Sequence, residues 1–180
     1  MTTYNVGYIV GSLAKASINR KLAKALIKVA PEKLKFHEIS FADLPLYSYD
    51  YDADYPAVAN DFKAAIKGSD AILFVTPEYN RSIPGGLKNA IDWASRPAFK
   101  SPLKDKPVTF ITQANSPVGG ARAQAHLKLV FDSTLSRIHM CHEMMIAGVE
   151  QKFDEHLSLV DEPSQVRIKR HLADFIQFIG

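Results

Sequence analysis

Residues 71–93 read AILFVTPEYNRSIPGGLKNAIDW, and the rest of the chain is interpreted from this stretch. The five apolar residues 71–75 have the continuous hydrophobic pattern of a strand that is buried on both faces of a parallel sheet. Pro84 and the two glycines that follow it suit the first turn of a helix, because a proline there loses no helical hydrogen bond. The stretch therefore predicts a strand, a loop and a helix, and ligands of open α/β sheets bind at such loops.

Strands and helices alternate on both sides of this unit. Strands are predicted at residues 6–10, 34–40, 71–75, 108–112 and 140–147. Apolar residues at a helical spacing predict five helices, marked by Ile18, Leu22, Leu26 and Val29; Val58, Phe62, Ala65 and Ile66; Leu87, Ala90, Ile91 and Ala94; Leu127, Val130, Phe131 and Ile138; and Ile168, Leu172, Phe175, Ile176 and Ile179. This alternation predicts an α/β fold, a flavodoxin-like three-layer sandwich whose five-stranded parallel sheet has the order 2-1-3-4-5 and helices on both faces.

Length and composition restrict the class of protein. The 180 residues predict one domain over residues 1–180, and 47% hydrophobic with 23% charged residues is ordinary for a soluble globular protein. The 22 basic residues are scattered and the net charge is +3, which argues against a nucleic-acid partner and suits anionic small molecules. Electron carriers of the flavodoxin type are usually strongly acidic, and this chain is not.

Cysteine usage and hydropathy predict the location. Cys141 is the one cysteine, which excludes an intramolecular disulfide and a cysteine-based metal site and fits a reducing compartment. We find no signal peptide at the N-terminus and no apolar run that approaches ~20 residues, so no membrane span is predicted. The expected location is the cytoplasm.

Two loops lie at the carboxyl ends of the strands that flank the predicted switch point of the sheet. Residues 11–19, GSLAKASIN, precede a helix, whose free N–H groups and dipole can bind a phosphate; the alternative is a helix simply capped by Ser17. Cations at Arg20 and Lys21 would oppose the helix dipole unless an anion lies nearby. Residues 77–82 either form an ordinary turn with Glu78 in solvent or hold a flat heteroaromatic ring, for which Tyr79 would supply a wall.

Three other groups of residues favour no site. His139 and His142 flank Cys141 on a predicted strand and would point to opposite faces, so they are poor metal ligands. Asp50, Asp52 and Asp54 lack the glycine turn and terminal glutamate of a calcium loop. The chain contains no Gly-x-Ser-x-Gly, so a hydrolytic triad lacks its nucleophile elbow.

The motifs PEYN at 77–80 and SIPGGLKNAIDW at 82–93 closely resemble the signature of the NADPH-dependent FMN reductases, a family that includes bacterial quinone, chromate and azo-dye reductases. The loop at 11–19 is similar to the family's phosphate loop. Residues 119–122, GGAR, resemble the loop that closes over the far side of the flavin ring. The likeness covers roughly residues 4–146.

The resemblance implies noncovalent FMN, with NADPH or NADH as co-substrate. The implied cofactor-binding residues are Ser12, Lys15, Ser17, Ile18 and Asn19 for the phosphate; Pro77, Glu78, Tyr79 and Asn80 for the ring, largely through backbone amides; and Gln113, Ala114 and Asn115 on its far side. Ala14 departs from the family, which usually has an arginine there. Arg81 places a cation at the mouth, either as a surface charge or to attract an anionic acceptor or the phosphates of the nicotinamide cofactor.

The implied function is transfer of electrons from NAD(P)H through FMN to quinones, azo compounds, metal oxyanions or free flavin by a ping-pong mechanism. No protein residue is predicted to be catalytic and no metal is expected, because the flavin carries the chemistry. A homodimer or homotetramer is implied, for which exposed aromatics such as Tyr47, Tyr49 and Trp93 would be suitable. The alternatives are a non-enzymatic electron carrier or redox-responsive binding protein, and a fold relative that has lost FMN.

Overall fold

The computed structural model describes residues 2–140, 142–154 and 158–180. In this part of the chain six strands form one parallel sheet, and five α-helices flank it. The strands are β1 Tyr4–Val10, β2 Leu34–Glu38, β3 Ala71–Pro77, β4 Pro107–Ala114, β5 Arg137–Ile138 and β6 Met144–Ala147. The helices are α1 Ile18–Val29, α2 Ala57–Lys67, α3 Gly85–Ala94, α4 Ala121–Ser133 and α5 Glu162–Ile179. The strand order β2-β1-β3-β4-β5 confirms the predicted flavodoxin-like fold.

The sheet is buried on both faces because its central strands are apolar at successive positions. In β3, Leu73 and Val75 pack in one core with α1 and α5, whereas Ile72 and Phe74 pack in the opposite core with α2, α3 and α4. All seven residues of β3 are buried. The prediction that residues 71–75 form a strand buried on both faces is therefore confirmed.

The fifth strand position differs from the prediction of one strand over residues 140–147. β5 pairs with the beginning of β4, and β6 pairs with its end, so the position is filled in two pieces. Between them, His139 turns its ring toward the sheet, where Nδ1 lies 3.1 Å from Thr109 Oγ1. The N–H of His139 still donates to Val108 O, but His142 and Glu143 belong to neither strand, so the prediction of one continuous strand over residues 140–147 was wrong; Cys141 lies outside the described residues.

Helix α4 ends earlier than its apolar spacing predicts. The N–H of Leu135 donates to Asp132 O and that of Ser136 to Phe131 O, which are the two hydrogen bonds of a Schellman motif. Leu135 has a φ of 59° at the position where such motifs usually have glycine. Because no glycine marks the helix end in the sequence, Ile138 was wrongly assigned to α4 and lies in β5.

The long connection between β2 and α2 is held against α3. Asn89 Oδ1 accepts from the N–H of Tyr47, and Asn89 Nδ2 donates to Pro45 O. Trp93 Nε1 donates to the same Pro45 oxygen, and the Trp93 ring is fully buried among tyrosines of this loop. The expectation of an exposed Trp93 at an oligomer contact was wrong, whereas Tyr49 is 75% exposed.

Two histidines, His139 and His171 of α5, lie against Thr109 near the edge of the sheet. Thr109 Oγ1 is 2.7 Å from Nε2 of His171, which is buried, and the His171 and His139 rings are 5.0 Å apart. Burial, and next the neighbouring His139 and Arg167, lower the pKa of His171 to about 3. Among the described helices, none has the length and apolar character needed to cross a membrane.

Candidate functional site

The loop after β1 is preorganised for an anion. Ser17 caps α1, since its Oγ accepts from the N–H of Arg20 at 3.4 Å. Within the described part of the chain, the N–H groups of Leu13, Lys15 and Ala16 have no hydrogen-bond acceptor. Free N–H groups before a helix N-terminus are the elements of a phosphate site.

The side chains of this loop also fit a phosphate ester. Ser12, Ser17 and Asn19 are buried, and Asn19 Oδ1 has no partner among the described residues. This oxygen accepts hydrogen bonds, so it needs a donor such as a water or a ligand hydroxyl, whereas the Ser12 and Ser17 hydroxyls can donate to a phosphate. Lys15 is exposed, and Ile18 begins α1.

Arg20 does not supply charge to this loop. Its Nε and Nη2 both donate to Glu38 Oε1, at 3.2 and 3.1 Å. The Tyr8 hydroxyl donates to the other Glu38 oxygen, and burial followed by the charge of Glu38 raises the pKa of Tyr8 to about 12. The Arg20 cation is therefore paired with Glu38, and Lys15 is the cation of the loop itself.

The floor of the crevice is where β1 and β3 end side by side. The N–H of Gly11 donates to Val75 O at 2.8 Å. A Cβ on Gly11 would lie 2.2 Å from Thr76 Oγ1, a separation that no side chain could occupy without displacing the strand. Glycine at this position lets the first loop run directly over the end of β3.

The loop after β3 is a tight two-residue turn. Tyr79 and Ser82 exchange backbone hydrogen bonds of 2.9 Å, and Asn80 and Arg81 between them have φ values of 48° and 64°. This is the conformation of a type I′ turn. The Tyr79 N–H is used within the turn and cannot donate to a ligand, while the Tyr79 ring and the Asn80 side chain are exposed.

Glu78 binds the third loop's helix instead of lying in solvent. Its Oε2 accepts from the N–H groups of Arg122 and Ala123 at 3.0 and 3.3 Å, and its Oε1 accepts from Arg122 Nη1 at 3.2 Å. The residue before α4 is Gly120, which offers no side chain to cap the helix. Glu78 therefore caps α4 from the neighbouring strand, a role that the sequence did not reveal.

The loop after β4 is shorter than predicted. Gln113 and Ala114 are the last residues of β4, with Gln113 buried and paired to Pro77, so the loop is residues 115–120. Asn115 is exposed, and its Oδ1 accepts from the N–H of Glu150 at 3.3 Å. Gly120 has a φ of 83° and packs so closely on Thr112 that a Cβ there would come within 2.9 Å.

Ser82 and His126 add a second link between the turn and α4. Ser82 Oγ lies 2.8 Å from His126 Nδ1. No local pattern predicts this pair, because the two residues are separated by 44 positions and share no motif. Together with Glu78, the pair joins the turn at 79–82 to the helix that follows the third loop.

The three loops thus meet at one edge of the sheet. The first loop offers free N–H groups and serine hydroxyls for a phosphate, and the turn and the third loop flank the ends of β3 and β4. This arrangement fits a phosphate ester that carries a planar ring. No group of three or more His, Cys, Asp or Glu residues in the described ranges is placed to hold a metal ion.

Comparison with known proteins gives consistent relatives. The sequence pattern of the family described as NADPH-dependent FMN reductase matches residues 4–151. The chain is 39% identical to a 2-hydroxy-1,4-benzoquinone reductase of a Burkholderia species over 97% of this chain and 95% of that protein. It is 36% identical to a quinone reductase of Escherichia coli K12 over 95% and 93%.

A solved structure is similar over nearly the whole chain. It is FerB, a flavoenzyme NAD(P)H:(acceptor) oxidoreductase from Paracoccus denitrificans. The TM-score is 0.91 and the identity 38%, with 98% of this chain and 97% of that chain covered.

Proposed function

The chain belongs to the NADPH-dependent FMN reductase family, and from this premise we propose that it reduces small quinones with electrons taken from NADPH or NADH. The predicted family, the flavin cofactor and the class of enzyme, an FMN-dependent NAD(P)H oxidoreductase, are confirmed by these comparisons. Bound FMN supplies a ring that accepts a hydride from the nicotinamide and delivers it to the acceptor.

One structural observation supports the placement of the flavin. The loop at 11–19, whose Leu13, Lys15 and Ala16 N–H groups have no acceptor among the described residues, and the turn at 79–82 meet at the carboxyl edge of the sheet. We propose that the first loop binds the FMN phosphate. The residues proposed for the phosphate are Ser12, Lys15, Ser17, Ile18 and Asn19.

The ring would then lie between the second and third loops. Pro77, Glu78 and Asn80 would border one side through their backbones, and Ala114 and Asn115 the other, with Tyr79 as an exposed wall. Gln113, which lies within β4, would contact the same side of the ring as Ala114 and Asn115. Because donor and acceptor would use the same open face in turn, the proposed kinetic mechanism is ping-pong.

Quinones are the acceptors best supported by the relatives, since two of the similar proteins are quinone reductases or benzoquinone reductases by name. Azo compounds, metal oxyanions and free flavin remain proposed secondary acceptors. We propose a single flavin-binding domain in the cytoplasm with no nucleic-acid partner. A homodimer or homotetramer is proposed through the groove between α3 and α4, which carries the exposed side chains of Phe99 and Leu135.

An absorbance spectrum between ~300 and 550 nm tests the proposal. The protein is loaded with FMN, desalted and mixed with NADPH, and then with 1,4-benzoquinone. We expect flavin bands that survive desalting, bleach with NADPH and return with the quinone. Bands that survive but do not bleach with either nicotinamide donor would indicate the alternative of an electron carrier, and absent bands would contradict the flavin site.

Restoring the family's arginine at position 14 is expected to tighten FMN binding. Ala14 is exposed beside the free N–H groups of the first loop, and a guanidinium there could contact a phosphate with two hydrogen bonds. We expect the FMN dissociation constant of Ala14→Arg to fall by about tenfold in a fluorescence-quenching titration. Ala14→Met, which adds length without charge, is the control, and equal affinities for the two variants would contradict this explanation.

A further inference from the structure

The turn beside the proposed flavin ring carries an arginine in a conformation that suits glycine. Arg81 has a φ of 64°, in the left-handed region, and the two backbone hydrogen bonds between Tyr79 and Ser82 keep it there. Asn80 has a φ of 48°, and asparagine tolerates the left-handed region, whereas arginine rarely adopts it. Backbone strain that is retained beside a ligand site points to a function for the strained residue.

The Arg81 guanidinium is available to a ligand. The side chain is exposed and makes no hydrogen bond or ion pair with any residue that the structure describes. Two other cations near the turn are engaged, since Arg122 binds Glu78 and Lys88 binds Asp92 at 2.8 Å. The nearest acid in the sequence, Glu78, directs its carboxylate to α4 and does not neutralise Arg81.

We propose that Arg81 binds a phosphate group of the nicotinamide dinucleotide donor, an inference that rests on the proposed function. The nicotinamide must lie against the flavin ring, which the turn at 79–82 flanks. A ligand of this length would then extend its phosphates beyond the ring, toward the turn that carries the exposed Arg81. A guanidinium matches a phosphate with paired hydrogen bonds, and it offers little to a neutral quinone.

The test compares FMN-loaded wild-type protein with Arg81→Asn and Arg81→Lys. Asparagine tolerates the left-handed conformation but has no charge, whereas lysine keeps the charge and loses the paired donors. With saturating 1,4-benzoquinone, we expect Arg81→Asn to raise the KM for NADPH about three- to tenfold with kcat unchanged, and Arg81→Lys to lie between. The dissociation constant for NADP⁺, measured by titration without turnover, is expected to rise by the same factor.

Comparison of the two donors identifies the phosphate. A loss confined to NADPH assigns Arg81 to the 2′-phosphate, and an equal loss with NADH assigns it to the pyrophosphate that both donors carry. Unchanged KM and dissociation constants for both donors would overturn the proposal. A change in the KM for the quinone alone would also overturn it, because it would place Arg81 at the acceptor.

Stability supplies a second readout. If the strained arginine is retained for binding, Arg81→Asn is expected to raise Tm by about 2–4 °C while it weakens donor binding. A Tm that falls together with the affinity would show that Arg81 supports the turn, and would count against the proposal. The wild-type protein is tested first: if it retains FMN and NADPH bleaches its flavin absorbance, the reductase activity is established. An unexpected result with the Arg81 variants is then distinguishable from failure of the proposed function.

Discussion

Replacing Glu78 with alanine is expected to lower the free energy of unfolding by about 2–3 kcal/mol, because two N–H groups of α4 lose their cap and Arg122 loses its partner. The Glu78 side chain is only 13% exposed, so water can replace these bonds incompletely. Urea unfolding of the flavin-free protein measures this loss without any contribution from ligand binding.

The same variant is expected to weaken FMN binding at least about tenfold. Glu78 joins the turn at 79–82 to the helix that follows the third loop, and these two segments flank the proposed position of the ring. Without the carboxylate, each segment moves independently, and the flavin must order both of them when it binds. Fluorescence quenching of added FMN measures the change.

Two matched variants separate capping from charge. Glu78→Gln keeps one oxygen as an acceptor and is expected to lose roughly half as much stability as Glu78→Ala, whereas Arg122→Gln leaves the cap in place and should cost less than about 1 kcal/mol. Losses of the same size in Arg122→Gln and Glu78→Ala would show that the ion pair is the important contact. An unchanged Glu78→Ala protein would contradict the capping role altogether.

The order of the strands was predictable because each central strand carries a physical signal that needs no partner. Residues 71–75 are apolar at every position, which is the pattern expected of a strand whose sheet is covered on both faces. Pro84 and Gly85 marked the beginning of α3 correctly, since proline is tolerated where helical N–H groups have no partner. The crevice followed from these elements and from the position of the strand ends.

The contacts between loops were not predictable from local patterns. Glu78 caps a helix that begins 43 residues later, and nothing in the residues around it distinguishes a capping carboxylate from a solvated one. Likewise, the side chain of Arg20 forms an ion pair with Glu38 on β2 and does not extend its charge to the first loop. Both contacts were unpredicted because tertiary partners decide where a long charged side chain lies.

The end of α4 and the division of the fifth strand were missed for a related reason. A helical spacing continues through Ile138, but Leu135 adopts the left-handed conformation that ends the helix, and leucine gives no warning of it. Arg137–Ile138 then form β5, and Met144–Ala147 form β6. The histidine at 139 contacts Thr109 and the α5 histidine at 171, which is a tertiary arrangement that alternation within the strand cannot reveal.

The buried His171 and its half-buried neighbour His139 predict how the fold responds to acid. His171 has a pKa of about 3 in the folded protein, because burial and then His139 and Arg167 disfavour its charged form, against an ordinary value near 6.5. Below pH ~6.5 the His171 ring is therefore protonated in the unfolded chain, whereas in the folded chain it stays neutral until the pH approaches ~3. Stability is full above this window and falls as the pH decreases through it; the lowered pKa of His139 acts in the same direction.

We expect His171 to remove up to about 4 kcal/mol of stability between pH ~6.5 and ~3, at no more than ~1.4 kcal/mol per pH unit. His171→Gln keeps a polar partner for Thr109 Oγ1 but has no titrating ring. This variant should be less stable than wild type at pH 8, because the glutamine lacks the ring that contacts His139, yet its stability should fall less steeply as the solution is acidified. Urea midpoints measured from pH 8 to pH 4 give the slopes of both proteins. Parallel slopes for wild type and His171→Gln would mean that carboxylates elsewhere govern the acid response, and that the buried ring is protonated without unfolding.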